Sequence, residues 1–489
     1  MIFKTIPLVT FFIIIPLFYF WIPYRHRWTF LLLASGAFYL YHSWKWEYLF
    51  LLFLLTLINY STALWMERCE SSFKKKTFFS LCILSNLGIL FLFKYFIFFS
   101  HSIGTIFDSP SIWSKTLSTD FILPVGISFY TFKNLSYSID VYRAYQKPER
   151  HFGIYALYVT FFPQILAGPI ERAARFLPQF YERFNFDYQR VTSGFKLIFW
   201  GIFQKSVIAD NLGLLVDPVY NHPTQYQGLN LTLATVFFAF QIFYDFSGYS
   251  DMAIGVGQVM GYKTMANFNC PYLSTSVTEF WRRWHISLST WLRDYLYIPL
   301  GGNRVPVLRW YWNLFLVLLI CGLWHGANWT FILWGGLHGF FLIFSIMTQG
   351  IRRRTNEAFG LDHIPKLHHF LKFLITFFLV CFAWILFRAN NISDALYIIS
   401  HLGVGWSGIL HWETLKSALG SQHNYFQWMV GVASIGFIMV THFLQRRGRI
   451  MDRLAQEPVL FRWTIYYALI HAFLLLRPSE TRMFIYFQF

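Results

Sequence analysis

Charge is scarce in this chain. Of 489 residues only 13% are Asp, Glu, Lys or Arg, against about 25% in an average soluble domain. That excludes an ordinary soluble enzyme. Cysteine is scarce too. Cys69, Cys82, Cys270, Cys321 and Cys381 are scattered, and no two stand at metal-ligand spacing. This leaves no disulfide framework and no thiol-based chemistry to build on. No internal repeat, low-complexity tract or soluble domain breaks the pattern, so residues 1–489 read as a single membrane domain. No cleavable signal peptide is expected either. The first apolar stretch, Ile6 to Ile22, has only Lys4 before it and no small-residue cleavage site after it. It reads as the first spanning helix.

What is present is apolar. Hydrophobic residues make up 56% and aromatic residues 22% of the chain, and the mean hydropathy is +0.43. Several runs reach the ~20 residues that span a bilayer. Candidate spanning or re-entrant segments lie near 6–23, 28–45, 47–65, 77–99, 119–141, 152–170, 194–215, 229–259, 310–329, 331–348, 367–388, 426–444 and 459–476. The expected fold is all-α: a polytopic, multi-pass integral membrane protein. It should have about 11 spanning helices, the length and count following bilayer thickness, plus re-entrant segments around a central funnel. The best re-entrant candidates are 152–170, broken by Pro163 and Pro169, and 263–309. Broken backbone at membrane depth needs protein or a water-filled cavity around it.

The formal net charge is +17. In a soluble protein this would suggest nucleic acid. Here the basic residues cluster in short loops, where they set topology against lipid, and no nucleic-acid partner is expected. Arg25-His26-Arg27, Lys74-Lys75-Lys76, Arg352-Arg353-Arg354 and Arg446-Arg447-Gly448-Arg449 are expected on the cytoplasmic side, as is the basic stretch Glu171 to Arg190. Loops 101–118, 216–228 and 389–425 carry few Lys or Arg and are expected outside.

Two segments stand out chemically. Leu323-Trp324-His325-Gly326 places a histidine in an apolar stretch. A charged residue at membrane depth costs about 2.5–3.5 kcal/mol on insertion scales. Histidine is also the side chain suited to proton transfer near neutral pH. Forty residues earlier comes Phe280-Trp281-Arg282-Arg283-Trp284-His285-Ile286-Ser287-Leu288-Ser289. On a helical projection Trp281, Trp284, Leu288, Trp291 and Tyr295 form one apolar stripe, with Arg282, His285, Ser289 and Arg293 on the adjoining polar side. This predicts an interfacial amphipathic helix with tryptophans at headgroup level. A plain membrane anchor is the competing reading.

His325 is flanked by Gly322 and Gly326 and followed by Asn328. Small residues let helices or a ligand approach closely. A histidine merely hydrogen-bonded between helices is the bland alternative. His338 can play the same part. It lies on the opposite face if the helix is unbroken, unless Gly335-Gly336 breaks it. A metal site from His285, His325 and His338 lacks any H-E-x-x-H spacing, and no metal is expected. Asp245 and Asp251 lie in Tyr244-Asp245-Phe246-Ser247-Gly248-Tyr249-Ser250-Asp251, in an otherwise apolar helix. They need partners, and Arg282, Arg283 or Arg293 are candidates. Pro163-Gln164-Ile165-Leu166-Ala167-Gly168-Pro169 either lines a cavity or simply kinks a helix.

Together these motifs resemble the membrane-bound O-acyltransferase family over nearly the whole chain. Within it the chain is similar to the bacterial alginate and peptidoglycan O-acetylation branch. The resemblance implies His325 as the catalytic histidine and His285 at the second family position. It also implies acetyl-CoA as cytoplasmic donor, a funnel to the opposite face, and a periplasmic acetyltransferase partner that completes transfer to a polysaccharide. The setting it implies is the bacterial inner membrane. On this reading Arg282, Arg283 and Arg293, with Arg304 nearby, suit the phosphates of coenzyme A. Asn328 joins them as an expected donor contact, and His285, Asn328 or a backbone N–H is the candidate to steady the developing oxyanion. The final residues, Phe484-Ile485-Tyr486-Phe487-Gln488-Phe489, are either an interfacial tail or the bearer of a functional tyrosine, Tyr486. The rival functions are a transporter or polymer-export channel without covalent chemistry, and an assembly scaffold.

Overall fold

Helices supply all the regular structure among the described residues, which in this computed structural model are 5–43, 45–106, 123–406, 425–445, 453–454, 456–478 and 482–485. Parts of two of the expected outward loops (107–118 and 407–424), the basic cluster Arg446, Arg447 and Arg449, and Tyr486, Phe487 and Phe489 lie outside them. Eight described helices are long and apolar enough to cross a membrane: Trp46–Arg68, Ser72–Thr105, Leu229–Met260, Val307–His325, Trp329–Met347, Pro365–Arg388, Gln427–Gln445 and Val459–Leu476. A helix answers the lack of water in lipid by pairing every backbone group within its own segment. Length and composition thus make this an integral membrane protein. The Leu229–Met260 helix ends one residue from the boundary expected at 259.

The chain forms two compact units, residues 1–199 with 249–266, and 200–248 with 267–488. The first contains the expected break near Pro163. The helix Phe152–Thr160 stops there, and residues 161–170 run on as buried turns. Several of their polar groups are met by protein side chains. Lys133 Nζ donates to Tyr158 O at 2.8 Å and to Gln164 Oε1 at 2.9 Å. The Ser35 hydroxyl accepts from Phe162 N at 3.1 Å, and the Tyr249 hydroxyl donates to Pro163 O at 3.3 Å. Gly126 has φ +72°, and a Cβ on it would stand 2.2 Å from Ile165 O. Only glycine combines that conformation with that approach.

In the second unit, residues 229–248 of the Leu229–Met260 helix supply Ala239, Phe243, Asp245 and Phe246 to the interior. Three fully buried tryptophans, Trp284, Trp334 and Trp384, pack together there. Trp284 and Trp334 both touch Trp384, at 5.1 Å and 5.7 Å between centroids. Trp384 Nε1 donates to the Tyr272 hydroxyl at 3.2 Å, which in turn donates to Ala239 O at 2.5 Å. A buried tryptophan needs such an outlet for its N–H. Trp334 also packs against His325 and His338.

Candidate active site

Ser276 starts the first site element. Its hydroxyl accepts from Glu279 N at 3.1 Å, and the Glu279 carboxylate accepts from Thr275 N at 2.7 Å. This reciprocal cap is the Ser-x-x-Glu signature of a helix start, and the helix Val277–Arg283 follows. It does not continue. His285 adopts φ +42°, ψ 55°, and a second helix begins at Ile286 and runs to Leu292. The expected uninterrupted amphipathic helix is therefore two short helices around a break. Trp281, Trp284, Leu288 and Trp291 are buried in protein rather than laid at headgroup level.

The break is closed by residues 267–269. Asn269 N donates to Arg283 O at 3.0 Å, and Ile286 N to Asn267 O at 2.9 Å. The Ser287 hydroxyl donates to Asn267 Oδ1 at 2.6 Å. A left-handed backbone at a non-glycine residue is held against local preference by its surroundings, and such residues cluster at functional sites. Periodicity did not register it, because the stripe of tryptophans runs straight across the break.

His325 ends the next element. The helices Val307–His325 and Trp329–Met347 form a hairpin. They approach so closely that a Cβ on Gly322 would stand 2.2 Å from Phe331 O, and one on Gly335 the same distance from Leu318 O. The small residues serve close packing as expected. Gly326 is extended (φ −164°, ψ 152°), and Asn328 caps the returning helix, accepting from Thr330 N at 3.0 Å. Its amide also donates to Asn390 O at 3.1 Å. The break thus falls at 326–328, not at Gly335-Gly336, and His325 and His338 stand on two helices of the hairpin.

These breaks bring the histidines together. The His285 and His325 rings lie 6.5 Å apart between centroids. Trp324 touches both, at 5.9 Å and 4.9 Å. Phe246 stands edge-on to His285 at 4.7 Å. Trp334 and Phe387 each meet His325 at 5.2 Å. Both histidines are buried. Burial holds the His285 imidazole, which lies outside the eight candidate spans, well below its ordinary range. It is neutral at physiological pH, with one ring nitrogen to donate and one to accept. His338 also contacts Trp334, at 4.9 Å. Trp281 Nε1 donates to its Nδ1 at 3.3 Å, which places its own proton on Nε2.

The three arginines of the sequence motif are arranged differently. Arg282 and Arg293 are exposed, and Arg283 is half-buried. Arg283 pairs with Glu279 at 2.6 Å and Arg293 with Asp294 at 2.8 Å. The expectation that Asp245 anchors one of these arginines is corrected. Asp245 pairs with Lys205 at 2.5 Å, both fully buried. Residues 194–215 were legible as an apolar segment, and a lysine followed five residues later by Asp210 inside such a run is the signal that marks Lys205.

Residues 68–386 match the model of the membrane-bound O-acyltransferase family. The chain is 40% identical over 372 residues to the probable alginate O-acetylase AlgI of Pseudomonas aeruginosa, covering 76% of this chain and 68% of that one.

The chain belongs to the membrane-bound O-acyltransferase family.

Within that family it is also 38% identical over 408 residues to the peptidoglycan O-acetyltransferase of Helicobacter pylori, covering 78% of this chain and 74% of the relative. Likeness to the teichoic acid D-alanyltransferase of Streptococcus thermophilus is 30% over 293 residues, 54% of this chain and 68% of that one. This member of the family is a membrane-embedded acyltransferase, and its histidine pair lies within the matched region.

Proposed function

We propose that this acyltransferase is the membrane subunit of a polysaccharide O-acetylation system in the bacterial inner membrane. It takes acetyl from acetyl-CoA on the cytoplasmic side and passes it across the membrane toward a polysaccharide of the alginate or peptidoglycan class. A periplasmic acetyltransferase partner completes the transfer. The observation that carries this reading is the pair of helix breaks that bring His285 and His325 within 6.5 Å of each other inside an aromatic cage. The names of the alginate and peptidoglycan relatives support the acetyl group and the acceptor class.

The chemistry needs little beyond the pair. A thioester is already activated, so the protein must deprotonate an incoming hydroxyl and steady an oxyanion. The hydroxyl oxygen bonds to the thioester carbonyl carbon while His325 takes its proton, a contribution of about 10²–10⁴-fold. His325 is the last residue of its helix. The partial negative charge of that helix end stabilises positive charge developing on the ring. Neutral His285 donates to the oxyanion. The C–S bond then breaks, the electron pair stays on sulfur, and His325 returns the proton to the leaving thiolate. An ester and free coenzyme A result. Asn328, as the cap that shapes the turn after His325, presents this catalytic ring and the donor's carbonyl to each other. Arg282, Arg283 and Arg293 meet the coenzyme A phosphates, Arg being suited to forked contacts with phosphate oxygens.

The accepting hydroxyl is the phenol of Tyr486. A polymer has trouble reaching a buried, narrow site, whereas a phenol ester is reactive enough to pass its acyl group onward. The whole chain acts as one catalytic domain in this scheme.

Purified protein in proteoliposomes, given acetyl-CoA labelled in its acetyl group, tests the reading. Release of coenzyme A with label on protein or acceptor is expected. An intact thioester under conditions that acetylate polymer in cells would leave a transporter or scaffold instead.

A further inference from the structure

Residues Arg482 to Ile485 are not draped on the surface of the second unit. They are held in its interior by groups from three helical segments. Ile485 N donates to Asp245 Oδ2 at 2.6 Å, and Lys205 Nζ donates to Met483 O at 3.3 Å. The same ammonium lies 4.6 Å from the centre of the Phe484 ring. Phe484 and Ile485 are buried. Arg482 pairs with Asp217, which also accepts from Arg388 Nη2 at 2.9 Å. Asn211 Nδ2 donates to Leu476 O at 2.7 Å, at the start of the approach.

The socket is ionic and dry. Lys205 stands between Asp245, at 2.5 Å, and Asp210, at 3.0 Å, with all three side chains at most 3% exposed. Lys205 lies within, and Asp210 directly follows, a widened turn, Gln204–Ala209, that interrupts the helix running from Tyr188 to Asn221. Such turns recur at functional sites. Burying an ion pair is weak evidence for stability, since apolar residues of similar size often do as well. Here both partners also hold main-chain atoms of the incoming segment, which apolar residues do not reproduce.

The socket also lies beside the reaction site. Asp245 and Phe246 are consecutive on one helix. Asp245 holds the backbone of Ile485, and Phe246 packs against His285 at 4.7 Å. Ile485 in turn is the residue before Tyr486. We infer that the buried Lys205–Asp245 pair is a positioning socket that grips the main chain at Met483 and Ile485 and thereby delivers the Tyr486 hydroxyl to the histidine pair. The inference rests on the carrier role proposed for Tyr486. Lys205 and Asp245 act through that residue and touch neither donor nor acceptor.

Proline at 485 removes the main-chain N–H that Asp245 Oδ2 accepts and leaves the ion pair whole. The test compares full-length Ile485→Pro, Ile485→Ala and Tyr486→Phe in proteoliposomes with acetyl-labelled acetyl-CoA, following label retained on the protein. Ile485→Pro should lose about tenfold or more of the maximal rate, because small misplacements near the reacting atoms are that costly. Its KM for acetyl-CoA should stay within about twofold, since the donor contacts are untouched. Ile485→Ala, which keeps the N–H, should exceed Ile485→Pro by about fivefold or more. If Ile485→Pro does not accumulate, Lys205→Met combined with Asp245→Leu decides, with the same loss at unchanged KM expected. Wild-type rates in whichever of these accumulates, with Tyr486→Phe inactive, would overturn the socket and leave the carrier standing. Wild-type labelling by Tyr486→Phe would overturn the carrier itself, and the socket with it.

Discussion

The rings of His285 and His325 stand 6.5 Å apart although each lies at a break in a different helix. Neither break alone makes a site. His285 enters because the chain turns left-handed there, and His325 because its helix ends at Gly326. The pair is therefore the product of two local departures from regular structure, and that gives each residue a separate test.

Replacing His285 with Ala should lower acetyl transfer less than the loss of a general base does, because a neutral donor to an oxyanion contributes about 10²–10³-fold at most. Burial keeps its imidazole neutral well below the ordinary histidine range, so protonation of His285 does not set the acid limb of the pH–rate profile. His285→Asn should leave that limb within about half a pH unit of wild type. Loss or displacement of the limb, measured as kcat/KM against pH, would assign the titrating role to His285 instead.

Charge reversal on the donor side should act through affinity. Arg282→Glu and Arg293→Glu should each raise KM for acetyl-CoA about threefold or more, with kcat less affected, if these side chains meet its phosphates. Arg293 pairs only with its neighbour Asp294 among the ion pairs of the described residues, so its removal strips no buried partner. An unchanged KM with lower protein yield would show that these arginines serve the fold.

The hairpin that carries His325 depends on its glycines. Gly322→Ala or Gly335→Ala drives a methyl group to 2.2 Å from a backbone carbonyl oxygen. Overpacking of this kind costs about 1–3 kcal/mol, and both variants should lose abundance and melt earlier. Gly350→Ala meets nothing within 4 Å and is the matched comparison. Equal thermal stability of all three variants would contradict the close helix contact.

Tyr486→Phe keeps the ring and removes only the hydroxyl. It should assemble with the partner, bind acetyl-CoA and fail to acetylate polymer. Full polymer acetylation by this variant, measured on polysaccharide from cells, would remove the carrier and leave the segment as a docking element.

Much of this architecture was legible in the residues, because lipid imposes a simple rule. An apolar run of sufficient length has to be a helix, and Leu229–Met260 and Pro365–Arg388 fall close to where their runs predicted. The break at Pro163 was legible for a similar reason, since proline removes a donor. The break at His285 was not. Its left-handed turn is imposed by Asn267 and Asn269 from elsewhere in the chain, and the periodicity of Trp281, Trp284, Leu288 and Trp291 continues across it. The partner of Asp245 was also hidden. Arginines in a marked motif drew the pairing toward themselves, while Lys205 sat deep in a long apolar stretch outside any marked motif. His325 could be singled out because a histidine between two glycines in an apolar helix has few structural reasons to be there.

The most direct measurement is the rate of acetyl transfer by His325→Ala against wild type, in membranes that contain equal amounts of the two proteins. A base at this position predicts a loss of about 10²–10⁴-fold at unchanged abundance and membrane insertion. Activity above about a tenth of wild type would contradict it, since a lost general base leaves far less.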